Sequence, residues 1–218
     1  MSSWSSPEPD PEAEVLFTQN TAYSIDMTDH GSAAASSLMN ALRATYDASI
    51  AVGYSPLVST SIYCGDYSKQ QILWVMAGNY AVSQGEYTGA ELRQMMEWLV
   101  NVKDNGANPI RHRNYMPVTS GMEYKVTEYE RGKFRLEEVT INGAPLDDTA
   151  TYTVFVAGTD VWMEDKAYCN CPMPENLKTK RTEYAIEGAE SRSCLKDSLA
   201  VSKQFPAPSE YLTIVQGE

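Results

Sequence analysis

Four cysteines and two histidines hold most of this sequence's capacity for nucleophilic or metal chemistry. Cys169 and Cys171 are separated by one residue, whereas a structural zinc site draws on paired C-x-x-C or nearby His ligands, so the spacing argues against zinc. Cys64 stands just before Gly65, and His112 would be its available base. The sequence has neither a nucleophile elbow nor a His–Asp arrangement of recognisable spacing to support that pair. Disulfide bonding of Cys194 to one member of the Cys-Asn-Cys pair, with Cys171 as candidate partner, competes with free buried thiols. His30 adjoins a helix start and reads as a loop or capping residue. Arg111-His112-Arg113 is the densest positive charge and has the donors to meet a phosphate, although an exposed loop is the commoner meaning of such a cluster.

The elements that must position these groups belong to a chain able to fold. It has 218 residues, 43% of them hydrophobic, enough for one large domain with a substantial core. Its 29 acidic and 17 basic residues give a formal net charge of -12. That surface repels a nucleic acid polymer, since phosphate backbones are held by Lys and Arg. No apolar run approaches the roughly 20 residues of a membrane-spanning helix. Residues 1–14 are polar and proline-rich, without the basic start and apolar stretch of a signal peptide. We expect a flexible linker or cut end there, leading from a longer protein into a domain over 15–218.

Periodicity supplies the elements. A short strand enters within Val15–Asp26. Thr28 to Ser32 offers caps for a helix from Ala33 to Ala44, with Ala34, Leu38, Ala41 and Leu42 facing a core. Ser49–Val52 reads as a buried strand, broken by Gly53-Tyr-Ser-Pro56. Ser68 caps a helix to Val75, Tyr80–Tyr87 is a strand, and Thr88 caps a helix from Gly89 to about Val102. In that helix Leu92, Met95, Met96 and Leu99 share one face. Met122–Tyr129 alternates with period two and turns at Arg131-Gly132. Phe134–Asn142 follows, with a tight turn at Asn142-Gly143, and then a strand at Thr151–Ala157. Beyond Glu164 the chain to Ala207 is long, polar and cysteine-bearing, with helix somewhere in Ala185–Ser198. The fold class expected is α+β, a layered domain with a mixed sheet and packed helices.

Three segments carry a resemblance. Tyr87-Thr-Gly-Ala-Glu-Leu-Arg-Gln-Met-Met-Glu97, Val118-Thr-Ser-Gly-Met-Glu-Tyr124, and Val139-Thr-Ile-Asn-Gly-Ala-Pro-Leu-Asp-Asp-Thr-Ala-Thr-Tyr-Thr-Val154 stand in the order and spacing of the 5′-nucleotidase and UDP-sugar hydrolase family. The sequence resembles that family's C-terminal, substrate-recognition domain over about residues 31–160, with 164–207 as a divergent cysteine-containing extension. The resemblance implies a pocket for a nucleotide or nucleoside and a covalently linked N-terminal catalytic domain. Two divalent metal ions are expected in that domain, where they activate water and polarise the phosphoryl group. This chain lacks the D-x-H and G-N-H-[ED] segments of that centre. No catalytic residue, metal ligand or cofactor is therefore expected in it, and it should be inactive alone. An extracellular, cell-surface or periplasmic setting is also inferred from the family.

The site is where the sequence departs from the pattern. The family's N-x-G-G-I-R aligns with Tyr54-Ser-Pro-Leu-Val-Ser59, so Tyr54 stands at the Asn position and Ser59 at the Arg position. Its P-F-g-N aligns with Met76-Ala77-Gly78-Asn79, which puts Ala77 where a ring stacks on the base. Trp162 or Tyr168, near Gly158-Thr-Asp160, is the place to look for the second ring. Asn79, Ser120, Gly121, Tyr54 and Trp162 are the substrate-binding candidates. Two functions compete: recognition domain of a metallophosphoesterase in nucleotide catabolism, or a degenerate domain serving structure or protein contact at a cell surface.

Overall fold

The computed structural model describes residues 13–54, 57–76, 78–101, 116–158 and 173–217. Along the chain come β1 (Val15–Gln19), α1 (Ala33–Thr45), β2 (Ile50–Tyr54), β3 (Gly65–Ser68), α2 (Lys69–Val75), β4 (Ala81–Thr88), α3 (Gly89–Asn101), β5 (Pro117–Ser120) and β6 (Glu123–Glu130). They are followed by β7 (Lys133–Ile141), β8 (Ala144–Pro145), β9 (Thr151–Ala157), α4 (Glu175–Glu183), β10 (Ala185–Glu190), α5 (Ser191–Ser202) and β11 (Leu212–Gln216).

Helices α1, α2 and α3 begin where the capping residues predict. Ser32 Oγ accepts from the Ala35 amide at 3.3 Å, and Ser68 with Gln71 closes a reciprocal capping box on α2. Thr88 Oγ1 accepts from the Glu91 amide at 3.2 Å while the Thr88 amide donates to Glu91 Oε2 at 2.8 Å. Ala34, Leu38, Ala41 and Leu42 of α1 and Leu92, Met95, Met96 and Leu99 of α3 are buried, as their spacing requires. Ser36 and Ser37 of α1 are buried as well. Their hydroxyls donate to the Ser209 and Pro206 carbonyls at 2.8 and 2.6 Å, stitching the chain after α5 onto the helix.

A five-stranded mixed sheet runs in the order β10-β4-β9-β2-β5, with β2 and β9 parallel and the other neighbours antiparallel. A four-stranded sheet has the order β11-β6-β7-β8, with β11 parallel to β6, and β1 pairs with β3 alone. Helix α3 packs on β4 of one sheet and β7 of the other, while α1 packs on β2, β5 and α5. The Asn142-Gly143 turn takes φ of 53° and 76°, the left-handed pair of a tight hairpin.

Two expectations become more specific. The short strand expected within Val15–Asp26 is β1, at Val15–Gln19. The polar stretch after 164 is structured from 175 to 202 as α4, β10 and α5, with β10 extending the main sheet beside β4. Irregular register between Ala185 and Glu190 explains why no period-two pattern marks β10.

Candidate functional site

Strand direction defines two ends of the five-stranded sheet. Ile50, Ala51 and Val52 lie beside Val154, Phe155 and Val156 in parallel, and Val82 lies opposite Ala157. The carboxyl ends of β2 and β9 therefore emerge together, next to the start of β4. In open α/β sheets ligands bind outside the carboxyl ends of parallel strands, which makes this end of the parallel pair β2 and β9 the candidate. Tyr54, Asn79 and Gly158 all belong to this end, and β5 begins there too, with Pro117 opposite Tyr54.

Ser120 and Gly121 belong to the other end. Ser120 pairs with Ala51, three residues before Tyr54, so it sits about 10 Å back along the strand. Its buried hydroxyl donates to Asn40 Oδ1 at 2.6 Å. Gly121 has φ +77°, and a Cβ there would stand 2.3 Å from the Ser49 carbonyl oxygen. The structure thus separates this pair from Asn79, and gives both residues partners in the scaffold.

At the carboxyl end, Asn79 is exposed, and both faces of its amide are used within the protein. Its Nδ2 donates to the Glu190 carboxylate, and its Oδ1 accepts from the Arg192 amide at 3.1 Å. The Arg192 guanidinium in turn donates to the Met76 carbonyl from Nε at 3.2 Å and Nη2 at 2.8 Å. The Tyr80 amide and carbonyl bond Ser191 at 3.0 and 2.8 Å. The first turn of α5 is therefore fastened to residues 76–80. Glu190 and Arg192 carry no sequence signal of this role, because the contact joins residues 113 apart. Ser59, at the position of the expected Arg, is also engaged: its hydroxyl donates to the Trp74 carbonyl and its amide to the Val75 carbonyl.

Ala77, Arg111, His112, Arg113, Trp162, Tyr168, Cys169 and Cys171 lie outside the described residues. Cys194 is a free, buried thiol that accepts a hydrogen bond from Tyr46 Oη at 2.8 Å. Burial pushes the Cys194 thiol up and, with Cys194 beside it, drives the Tyr46 phenol well above its ordinary range. Neither group is thus an activated nucleophile at neutral pH. Cys64 is free and exposed, and bonds the Asn20 carbonyl at 3.3 Å. His30 sits in an exposed loop with Nδ1 3.7 Å from Glu210 Oε2. Among the described residues no group of three or more His, Cys, Asp or Glu side chains could hold a metal ion, so the two-metal chemistry has no donor set among them. No helix of the described residues is long and apolar enough to cross a membrane.

The family model of the 5′-nucleotidase C-terminal domain matches residues 14–161. No curated protein matches the sequence. Similar solved structures include the 5′-nucleotidase precursor of Thermus thermophilus, at 16% identity and TM-score 0.64, over 95% of this chain and 41% of that one. The NAD nucleotidase of Haemophilus influenzae is 12% identical with TM-score 0.70, over 95% and 39% of the respective chains. The sulfate thiohydrolase SoxB of Thermus thermophilus, solved with glycerol, is 16% identical with TM-score 0.66, over 94% and 36%. This chain thus spans about two fifths of the length of the structures it matches. Identities this low speak for the fold, and the names of these proteins show that the fold serves more than one substrate.

Proposed function

Because the chain belongs to the 5′-nucleotidase C-terminal domain family, we propose that it is the substrate-recognition part of an exported, nucleotide-hydrolysing metallophosphoesterase. In this reading it is non-catalytic by itself, and the two metal ions belong to a linked N-terminal domain. The observation that carries the proposal is the family match over β1 to β9, which includes the parallel strands β2 and β9 whose carboxyl ends we take as the ligand end. A nucleotide held there would meet the surroundings of Tyr54, Asn79 and Gly158, with Trp162 in the segment that follows. Calorimetric titration of the chain with AMP, adenosine and a UDP-sugar tests the reading. Saturable binding that weakens when Asn79 is changed to Ala supports it, and no heat of binding at millimolar ligand sinks it.

One observation favours the second reading, a domain that keeps the scaffold without the ligand. Asn79 and Ser59 both spend their polar groups on the protein's own backbone and side chains. A nucleotide would need one of these bonds exchanged, since an occupied amide or hydroxyl has less to offer a ligand. Serine at position 59 also cannot supply the two parallel charged bonds of an arginine to phosphate.

A further inference from the structure

A separate groove of about 300 Å³ lies between the 60–67 segment and α2. Three aromatic residues line it, Tyr63, Tyr67 and Trp74, together with Asp66, Gln71 and Cys64. Tyr63 and Trp74 are 61% and 62% exposed, an unusual outlay of large ring surface around one hollow. Tyr67 forms the rigid wall. It is 7% exposed, stacks on Phe17 at 5.5 Å, meets Phe205 edge-on at 5.1 Å, and exchanges hydrogen bonds with the Tyr63 backbone. The Asp66 carboxylate is oriented by Thr18 Oγ1, which donates to its Oδ1 at 2.6 Å. Gln71 Oε1 is committed to the Ser68 amide.

The charge of the groove selects its ligand. Among the described residues no Lys, Arg or His lines it, and its formal charge comes from Asp66 on a chain of net charge -12. An anion such as a phosphate would therefore meet only repulsion. A purely apolar ligand would bury the carboxylate without compensation. A cation with an apolar shell answers both needs, because aromatic faces attract positive charge through their quadrupoles and a carboxylate pairs with it. We propose that this groove binds a quaternary or comparably alkylated organic ammonium group, seated against Trp74 and Tyr63 with its charge toward Asp66.

The test uses choline against 3,3-dimethyl-1-butanol, which has the same shape without the charge. Both are titrated into the whole chain while backbone amide shifts are followed by NMR. Choline should shift amides of residues 60–75 saturably, and the neutral alcohol should bind roughly 10-fold more weakly. Trp74→Leu and Asp66→Asn should each weaken choline roughly 5- to 10-fold. Trp74 is exposed, so its replacement spares the core; if Trp74→Leu nonetheless loses native dispersion, Tyr63→Leu takes its place. The proposal is overturned if choline leaves 60–75 unshifted, if the alcohol binds as well as choline, or if the variants bind choline unchanged. It is also overturned if AMP, in place of choline, shifts these residues. AMP shifts confined to the ends of β2, β4 and β9 would concern the nucleotide reading alone.

Discussion

The two ends of the five-stranded sheet differ in how their residues are held. At the end formed by Thr88, Ser120 and the start of β2, family-like glycines meet backbone. A Cβ at Gly121 would meet the Ser49 carbonyl oxygen, and one at Gly89 the Asp147 carbonyl oxygen. At the carboxyl end of β2 and β9 the corresponding glycine meets a side chain instead, since a Cβ at Gly158 would meet Leu57. Backbone contacts tolerate little change without moving a strand, whereas side chains can turn away. That difference fits a sequence in which the framework end keeps the family's glycines, while at the carboxyl end Tyr54 stands in place of the expected Asn.

The largest effect expected is at Gly121. Gly121→Ala places a Cβ 2.3 Å from the Ser49 oxygen at φ +77° and should cost roughly 3 kcal/mol in urea unfolding, combining left-handed strain with a backbone clash. Gly158 shares the left-handed conformation, with φ +74°, but its added Cβ would meet the Leu57 side chain, at 2.6 Å. Because that side chain can turn, Gly158→Ala should cost only about 1–1.5 kcal/mol. Equal losses at the two glycines would break the distinction between the ends.

Thr88→Ala should cost about 1 kcal/mol by removing the cap on α3. The same cap carries a pH dependence through Glu91. Burial raises its pKa, but Lys180 at 2.6 Å and the Thr88 donors outweigh burial and hold it below the ordinary 4.5. A carboxylate with a lowered folded pKa contributes stability that is complete above its unfolded value and is lost as pH falls through the folded one. Unfolding midpoints of the wild type should therefore fall more steeply than those of Glu91→Gln as pH drops below about 4.5. Parallel curves for the two proteins would remove Glu91 from the account.

The framework end is legible in the sequence because its signals are local. Ser32, Ser68 and Thr88 are caps within three residues of the amides they serve, and Asn142-Gly143 states its own turn. The carboxyl end of β2 and β9 is not legible, because its bonds are long-range. Neither the sequence around Asn79 nor that around Arg192 shows that the two meet. Ser120-Gly121 reads as a pocket element from its motif, while strand register sets it level with Ala51, away from Tyr54. Register is a property of paired strands, and a single strand's sequence does not display it. Ser36 and Ser37 are similarly opaque, since a polar residue on the buried face of α1 makes sense only once the carbonyls of 206 and 209 are laid across it.

The smallest effect expected is at Asn79, and it bears directly on the carboxyl end of β2 and β9. Its amide is exposed and its two bonds compete with water, so Asn79→Ala should cost about 0.5–1 kcal/mol of global stability. Its local effect should be larger in kind. Without the Oδ1 acceptor, the Arg192 amide at the first turn of α5 loses its partner, and its hydrogen exchange should accelerate. Exchange at Thr119 and Ser120, on the framework end, should stay as in the wild type. If exchange instead rose equally at both ends, the sheet would be responding as one unit, and Asn79 would belong to the framework as fully as Gly121 does.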